Sequence, residues 1–286
     1  MKTETMTSGK ESAGSTTAKL GGLADEIAVK RKRSRMMSGA FSIFLLALVL
    51  WSVDVTVIKD TDWERIGSLE NVLEATNRFI GIDFELFSNL FVPALETLLI
   101  ACLGTFFGLI LCIPAAWFGA MNITPYKPVT YPLARLMMTL SRSIHEIVWA
   151  LFFVAVVGLG AMAGVMAIAV RSVGFIAKMT AEAIEDIDYR PVEAIRAVGG
   201  SPFQVIYYAI LPQVLPQIVS VVVFEWEINI RRSAILGLVG AGGLGLVFFR
   251  QMNTYNYHGV TTVILAILII ILLGEAVSYF VRRRLI

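Results

Sequence analysis

Few residues of this chain can carry covalent chemistry or bind a metal. Its 286 residues include only two histidines, His145 and His258, and neither has a partner at metal-ligand spacing. The two cysteines, Cys102 and Cys112, fall inside one apolar run, so we expect both in the core. The sequence also lacks a G-x-x-x-x-G-K-S/T loop, which cradles nucleotide phosphates. We therefore predict no catalytic, metal or cofactor site, and any ATP and Mg²⁺ must be bound by a partner ATPase.

Charged residues are scarce as well, at 16%, whereas 57% of the residues are hydrophobic. This composition is too apolar for an ordinary soluble domain. Several runs reach the roughly 20 residues that a helix needs to cross a hydrocarbon core about 30 Å thick. We predict an all-α, polytopic membrane protein. Its six expected spans cover approximately residues 40–58, 90–119, 130–158, 161–184, 204–229 and 259–281.

Basic residues cluster at both ends of the apolar region. Five lie between Lys30 and Arg35, and three more run from Arg282 to Arg284, so the positive-inside rule predicts that both termini are cytoplasmic. Residues 1–38 are predicted to be a mobile tail, and residues 39–286 a transmembrane domain. The acidic segment 59–89 then lies outside, and its apolar spacing after Ser68 predicts a short interfacial helix.

A polar insert, EAIRAVGGSPFQVIYYAILP, separates the fourth and fifth spans. A helix is predicted to begin with Pro191 at its first position and Glu193 in its first turn. Ala194, Ala197 and Val198 share one face, which a protein groove could accept. Gly199 and Gly200 are predicted to end this helix, because glycine readily takes the left-handed conformation.

A second short helix is predicted to follow directly. Ser201 can cap it, Pro202 suits its first position, and Gln204 can complete a capping box. Pro212 and Pro216 each lack an amide hydrogen and clash with a carbonyl one turn earlier. We therefore expect the fifth span to enter the membrane kinked.

The spacing of five residues in the insert resembles the EAA loop of ATP-binding-cassette importer permeases: Glu193, Ala194, Gly199, Leu211 and Pro212. One departure is Ala209, where the motif usually has isoleucine. Two further segments resemble permeases of phosphonate and phosphite importers, WEINIRRSAILGLVGAGGLG at 226–245 and RSIHEIVWALFFVAVVGLG at 142–160. The resemblance covers roughly residues 40–284.

This resemblance implies a type I importer permease (MetI-like) fold and a transport subunit that is not an enzyme. It implies a homodimer in the bacterial inner membrane, in contact with lipid, two ATPase subunits and an external solute-binding protein, and no nucleic acid. The ATPase-coupling loop would cover residues 186–212. Its coupling residues would be Glu193, Ala194, Ala197, Gly199, Gly200, Leu211 and Pro212.

Two arginines mark a candidate substrate path. Arg231 and Arg232 are predicted at the outer end of the fifth span, and ionisable groups near membrane depth are costly enough to suggest a role. The planar fork of arginine matches a tetrahedral oxyanion. The alternative is a structural ion pair with Glu225 or Glu227.

A second polar group precedes the apolar run at Ile147 and could line the same path: Arg142, His145 and Glu146. Alternatively, Arg142 and Glu146 pair on one helix face, and His145 is a hydrogen-bonded scaffold residue. The glycine-rich stretch 237–245 is predicted to be a flexible re-entrant segment at the outer mouth.

Three other functions stay open at this point. The chain could be an importer permease for another small solute. An ion-gradient secondary transporter is the second, although the inverted repeat typical of that class is not visible. A membrane-embedded enzyme acting on phospho-compounds is the third, but the sequence offers no convergent acid, base and metal ligands. Phosphonate, phosphite, hypophosphite and phosphate are not separated by this sequence.

Overall fold

A computed structural model describes residues 30–31, 35–59 and 69–285, without the side chains of Ala75 and Leu285. The chain forms two units, Met1–Leu73 and Glu74–Ile286. The predicted mobile tail, apart from residues 30–31 and 35–38, and the acidic residues 60–68 lie outside the described residues.

The first unit contains a long apolar helix, α1, over Arg35–Lys59. Its last six residues, Asp54–Lys59, form a π-helical turn in which Lys59 Nζ lies 2.6 Å from Asp54 Oδ2. The helix is long and apolar enough to cross a membrane. Helix α2, Leu69–Asn77, confirms the short helix predicted from the spacing in this region.

Within the described residues, the second unit consists of helices and the segments that connect them. They are α3 (Phe84–Asn89), α4 (Phe91–Gly119), α5 (Lys127–Ser143), α6 (Glu146–Val157), α7 (Ala161–Glu185), α8 (Tyr189–Ala197), α9 (Pro202–Val205), α10 (Leu211–Leu236), α11 (Gly243–Asn253) and α12 (Tyr257–Leu285). A π-helical turn, Ile206–Ile210, and a 3₁₀ turn, Gly237–Val239, make α9 and α10 one helical run, Pro202–Val239.

Small residues let α4 and α7 pack closely at the centre of this unit. A Cβ added at Gly104 would lie 2.5 Å from Ile168 Cγ2, and one at Gly108 would lie 2.7 Å from Ser172 Cβ. The Gly-x-x-x-Gly spacing of Gly104 and Gly108 thus serves packing between helices. Cys112 is buried here, but Cys102 is exposed, so the prediction that both cysteines lie in the core was wrong for Cys102.

The predicted third span is broken. Helices α5 and α6 meet at 89°, and Ile144 and His145 between them are extended. His145 Nδ1 accepts a hydrogen bond from the Ile147 amide, which caps α6 and replaces an intrahelical bond. With this bent pair counted as one span, the described residues contain up to six candidate spans, which agrees with the expected number.

The fifth span differs from prediction in two ways. It continues to Val239, so Arg231 and Arg232 lie inside the helix and not beyond its outer end. The helix tolerates them because each is paired with a glutamate of the same helix. The irregularity expected near Pro212 is a π-helical turn just before it, in which the Leu211 amide bonds to the Ile206 carbonyl.

Candidate coupling surface and intramembrane charge clusters

Helix α8 forms the centre of the predicted coupling loop, and it begins two residues earlier than expected. Asp188 is the N-cap, with its carboxylate accepting from the Arg190 amide, so Pro191 occupies the third helical position. The hydrogen bond from the Arg190 side chain holds the pKa of Asp188 below its usual range. Because the Asp188 carboxylate stays ionised at neutral pH, it favours the start of a helix more strongly than Pro191 does.

The end of α8 follows the prediction. Gly199 is left-handed, with φ of 81°, and the amides of Gly199 and Gly200 bond to the carbonyls of Arg196 and Ile195. Ser201 and Gln204 form the complete capping box that was predicted for the next helix. Two short helices therefore meet at the glycine pair.

Helix α8 is fastened to the N-terminal end of α10 and to the helical turns before it. Val192 is 1% exposed and packs in a cluster with Val205, Ala209 and Val214. The Gln213 side chain accepts from the Asp188 amide at 3.0 Å and donates to the Asp188 carbonyl at 3.3 Å. These contacts attach α8 to the helical run that carries Arg231 and Arg232.

The opposite face of α8 is open. Glu193, Ala194, Ala197 and Val198 are all exposed, and Val198 is 84% exposed. Leu211 and Pro212 are exposed too, at the start of α10. Six of the seven residues predicted to couple to an ATPase thus lie at the surface, and Gly200 is half-buried below them.

The first intramembrane group, here called the central cluster, contains Glu146, Arg171, Glu225 and Arg232. Arg232 Nη1 donates to Glu225 Oε1 at 2.7 Å, and Arg232 Nε lies 3.7 Å from Glu146 Oε1. Arg171 Nε lies 3.1 Å from Glu146 Oε2. Two guanidinium groups therefore balance two carboxylates, and their side chains are between 1% and 23% exposed.

Neutral side chains complete the central cluster and show its depth. Ser172 donates to Glu225, and the Asn229 amide donates to Ser172 and Thr105, each at 2.9–3.0 Å. Thr105 is the middle residue of the 29-residue helix α4, and Ser172 is the twelfth of the 25 residues of α7. The cluster therefore lies near mid-height of the helical bundle.

The second group, here called the side cluster, contains Glu227, Arg231 and Arg282. Arg231 Nη2 donates to Glu227 Oε1 at 2.9 Å. Glu227 Oε2 accepts from Arg282 and from Ser278, the latter at 2.8 Å. One carboxylate thus pairs with two guanidinium groups. The side chain of Arg231 is 40% exposed and that of Arg282 is 36% exposed.

A cavity of about 520 Å³ adjoins the side cluster between α10 and α12. Its lining residues are Phe224, Glu227, Glu275, Tyr279, Arg282 and Arg283. We call this space the α10–α12 cleft. A second cavity of about 500 Å³ lies elsewhere between α4, α7 and α10, and its lining is almost wholly apolar.

The predicted pairing of Arg142 with Glu146 on one helix face is not formed, because the α5–α6 bend separates them. Arg142 offers its main-chain carbonyl to Arg171, while Glu146 pairs with Arg171 and Arg232. His145 acts as the hydrogen-bonded cap described above, with 64% of its side chain exposed.

The glycine-rich stretch 237–245 forms a tight turn whose backbone is held by α4. Gly240, Gly242 and Gly243 all have positive φ. The amides of Gly243 and Leu244, which open α11, donate to Glu96 and Thr97 at 3.0 and 2.8 Å. The amides at the start of α11 are thus satisfied by protein, as a membrane requires.

The sequence did not point to several residues of the two clusters or to the two residues that hold the glycine-rich turn. They are Glu96, Thr97, Arg171, Ser172, Asn229, Ser278 and, as a path residue, Arg282. Arg171 could have been identified from the sequence, because it is a charged residue inside an otherwise apolar span. Arg282 was interpreted only as part of the positive C-terminal end, since nothing local links it to Glu227.

Residues 101–286 match the family described as binding-protein-dependent transport system inner membrane component. Over 218 residues the chain is 38% identical to the phosphite transport system permease protein PtxC of Stutzerimonas stutzeri, covering 76% of this chain and 79% of that protein. It is 34% identical over 240 residues to the phosphate-import permease protein PhnE of Mycolicibacterium smegmatis, covering 84% of this chain and 44% of that protein.

The fold is similar to that of solved transporters. A chain of the MetNI methionine ABC transporter in inward-facing conformations superposes with a TM-score of 0.63 at 25% identity. The match covers 72% of this chain and all of that one. The all-α, type I permease fold that was predicted is thereby confirmed.

Proposed function

Because this chain belongs to the family of binding-protein-dependent transport system inner membrane components, we propose that it is the membrane-spanning permease of an ATP-driven importer for phosphonate, phosphite or a related phosphorus oxyanion. Its relatives at 34–38% identity are named for phosphite and phosphate transport. The observation that carries the proposal is α8, a short helix with an exposed face that is fastened to a membrane-spanning helix.

A separate ATPase would drive the transport cycle. Two ATPase subunits would each accept one α8 helix of a homodimer, at Glu193, Ala194, Ala197 and Val198. Closure of the ATPases on ATP would then displace α8, and the Val192 cluster and Gln213 would pass this motion to α10. The permease would perform no covalent step, and an external binding protein would deliver the solute.

The orientation follows from the distribution of arginine and from the position of α8. Both termini would be cytoplasmic, with the Gly237–Val239 turn and α11 near the outer mouth. The intramembrane arginines favour an anionic solute, because each cluster places guanidinium groups at a depth where unpaired charge is costly. The candidate path residues would be Arg142, His145, Glu146, Glu225, Glu227, Arg231 and Arg232.

Reconstitution with its cognate ATPase and binding protein tests the proposal. Glu193→Arg or Gly199→Asp should leave the dimer folded but abolish phosphite uptake driven by ATP, because the docking face is altered. Lys127→Gln is the matched control, since Lys127 is an exposed charge at the start of α5. Unchanged, ATP-coupled uptake in both α8 variants would contradict the proposal.

A further inference from the structure

The two intramembrane clusters differ in charge balance and in access. The central cluster pairs two guanidinium groups with two carboxylates, and Glu225 and Arg232 are 1% and 14% exposed. The side cluster pairs two guanidinium groups with a single carboxylate, and both arginines are more than a third exposed. Only the side cluster therefore keeps excess positive charge on an open surface.

Further ionisable groups surround the side cluster at the α10–α12 cleft. Glu275 and Arg283 line the cleft and form no ion pair within the described residues. The four ionisable residues that line the cleft, Glu227, Glu275, Arg282 and Arg283, carry two positive and two negative charges. Arg231, which does not line the cleft but lies 2.9 Å from the Glu227 carboxylate, brings the net charge of the group to +1. Such groups avoid lipid, so the cleft must face water or protein.

The cleft also offers directed hydrogen-bond donors. Glu227 orients both guanidinium groups, and each retains N–H groups that this carboxylate does not use, since arginine carries five. The Tyr279 hydroxyl has no hydrogen-bond partner in the described part of the chain. A volume of about 520 Å³ is ample for a small tetrahedral anion and its water.

We infer that the α10–α12 cleft, at the C-terminal end of α12, is a subsite for a phosphorus oxyanion, bound by Arg282 and the Tyr279 hydroxyl with Arg231 beside the cleft, whereas Arg232 is a scaffold residue. Glu227 keeps the two arginines in place when the cleft is empty, and Glu275 weakens anion retention so that the solute can leave. The inference rests on the proposed function, because it names binding residues along that path.

Thiol labelling in the assembled transporter tests this site directly. The reporter is Phe224→Cys, which lines the cleft but is not a proposed ligand, in a background with Cys102→Ala and Cys112→Ala. We expect an anionic methanethiosulfonate to label it faster than a cationic one of similar size, and phosphite to slow labelling up to saturation. Potassium chloride at the same ionic strength should not. Phe280→Cys, on α12 but outside the cleft, is the control that neither reagent should label quickly.

Removing a positive and removing a negative charge from the cleft should change the protecting phosphite concentration in opposite directions. Arg282→Gln should raise the protecting phosphite concentration about tenfold, the effect of losing one charge-assisted contact. Glu275→Gln should lower it, because a carboxylate without a partner is removed from the cleft. Arg284→Gln removes an exposed charge in the same turn without bordering the cleft, so it should have no effect.

The outcomes distinguish failure of the proposed subsite from failure of the proposed function. Absence of phosphite protection in a wild-type background that imports phosphite would overturn the subsite and leave the proposed function intact. Equal protection in the Arg282→Gln and Arg284→Gln variants would also overturn it. Failure of the wild-type complex to import phosphite, methylphosphonate or phosphate would instead contradict the proposed function.

Discussion

The left-handed glycine at the end of α8 allows the coupling surface to be perturbed without changing its contacts. Gly199 has φ of 81°, and a Cβ added there would find no heavy atom within 4 Å. Within the permease, Gly199→Val therefore acts through the backbone alone. A β-branched residue in the left-handed region costs about 1–2 kcal/mol. Gly200 is different, since a Cβ there would lie 2.5 Å from Ile195 Cγ2.

This cost should appear as local opening of α8. A loss of 1–2 kcal/mol raises an open population by about 5- to 30-fold. Hydrogen exchange with mass spectrometry on the purified complex should therefore show faster exchange by that factor in a peptide covering residues 189–200. Peptides from α4 and α7 should be unchanged. Phosphite transported per ATP hydrolysed should fall, because α8 would no longer transmit displacement rigidly.

Gly199→Asn is the matched control, because asparagine adopts the left-handed conformation with less strain. Its exchange should lie close to that of the wild type. If Gly199→Val exchanged at the wild-type rate, the left-handed turn would not be what ends and holds α8. The reasoning from φ to coupling would then be refuted.

Two further predictions concern buried contacts. Val192→Ala should destabilise the permease by about 2 kcal/mol, because two methyl groups leave the cluster under α8; thermal unfolding in detergent measures this, and Ala194→Ser on the exposed face should change little. Glu225→Gln should cost about 3–5 kcal/mol, since it leaves the buried central cluster with one carboxylate for two guanidinium groups. Adding Arg232→Gln should restore part of that loss, and strictly additive losses would show that the two residues are not coupled.

Local signals in the sequence determined much of this protein. Runs of about 20 apolar residues predict spans in any context, because the bilayer sets helix length. The capping box at Ser201 and Gln204 and the left-handed Gly199 depend on residues within a few positions of each other, and both were predicted correctly. The start of α8 was predicted wrongly because two local signals compete there. Asp188 can cap a helix and Pro191 can occupy its first position, and the structure has Asp188 as the cap.

Only the tertiary structure decided how the charges combine. Arg282 and Glu227 are 55 residues apart, and Ser172 and Glu225 are 53 apart, so no periodicity links them. The break between α5 and α6 depends in the same way on Arg171 and Arg232, which hold the two sides of the bend from other helices. Sequence marks which residues carry charge at membrane depth. Helix packing determines which of those charges are neutralised and which remain open to a solute, because the energy of a charge pair depends on distance and burial.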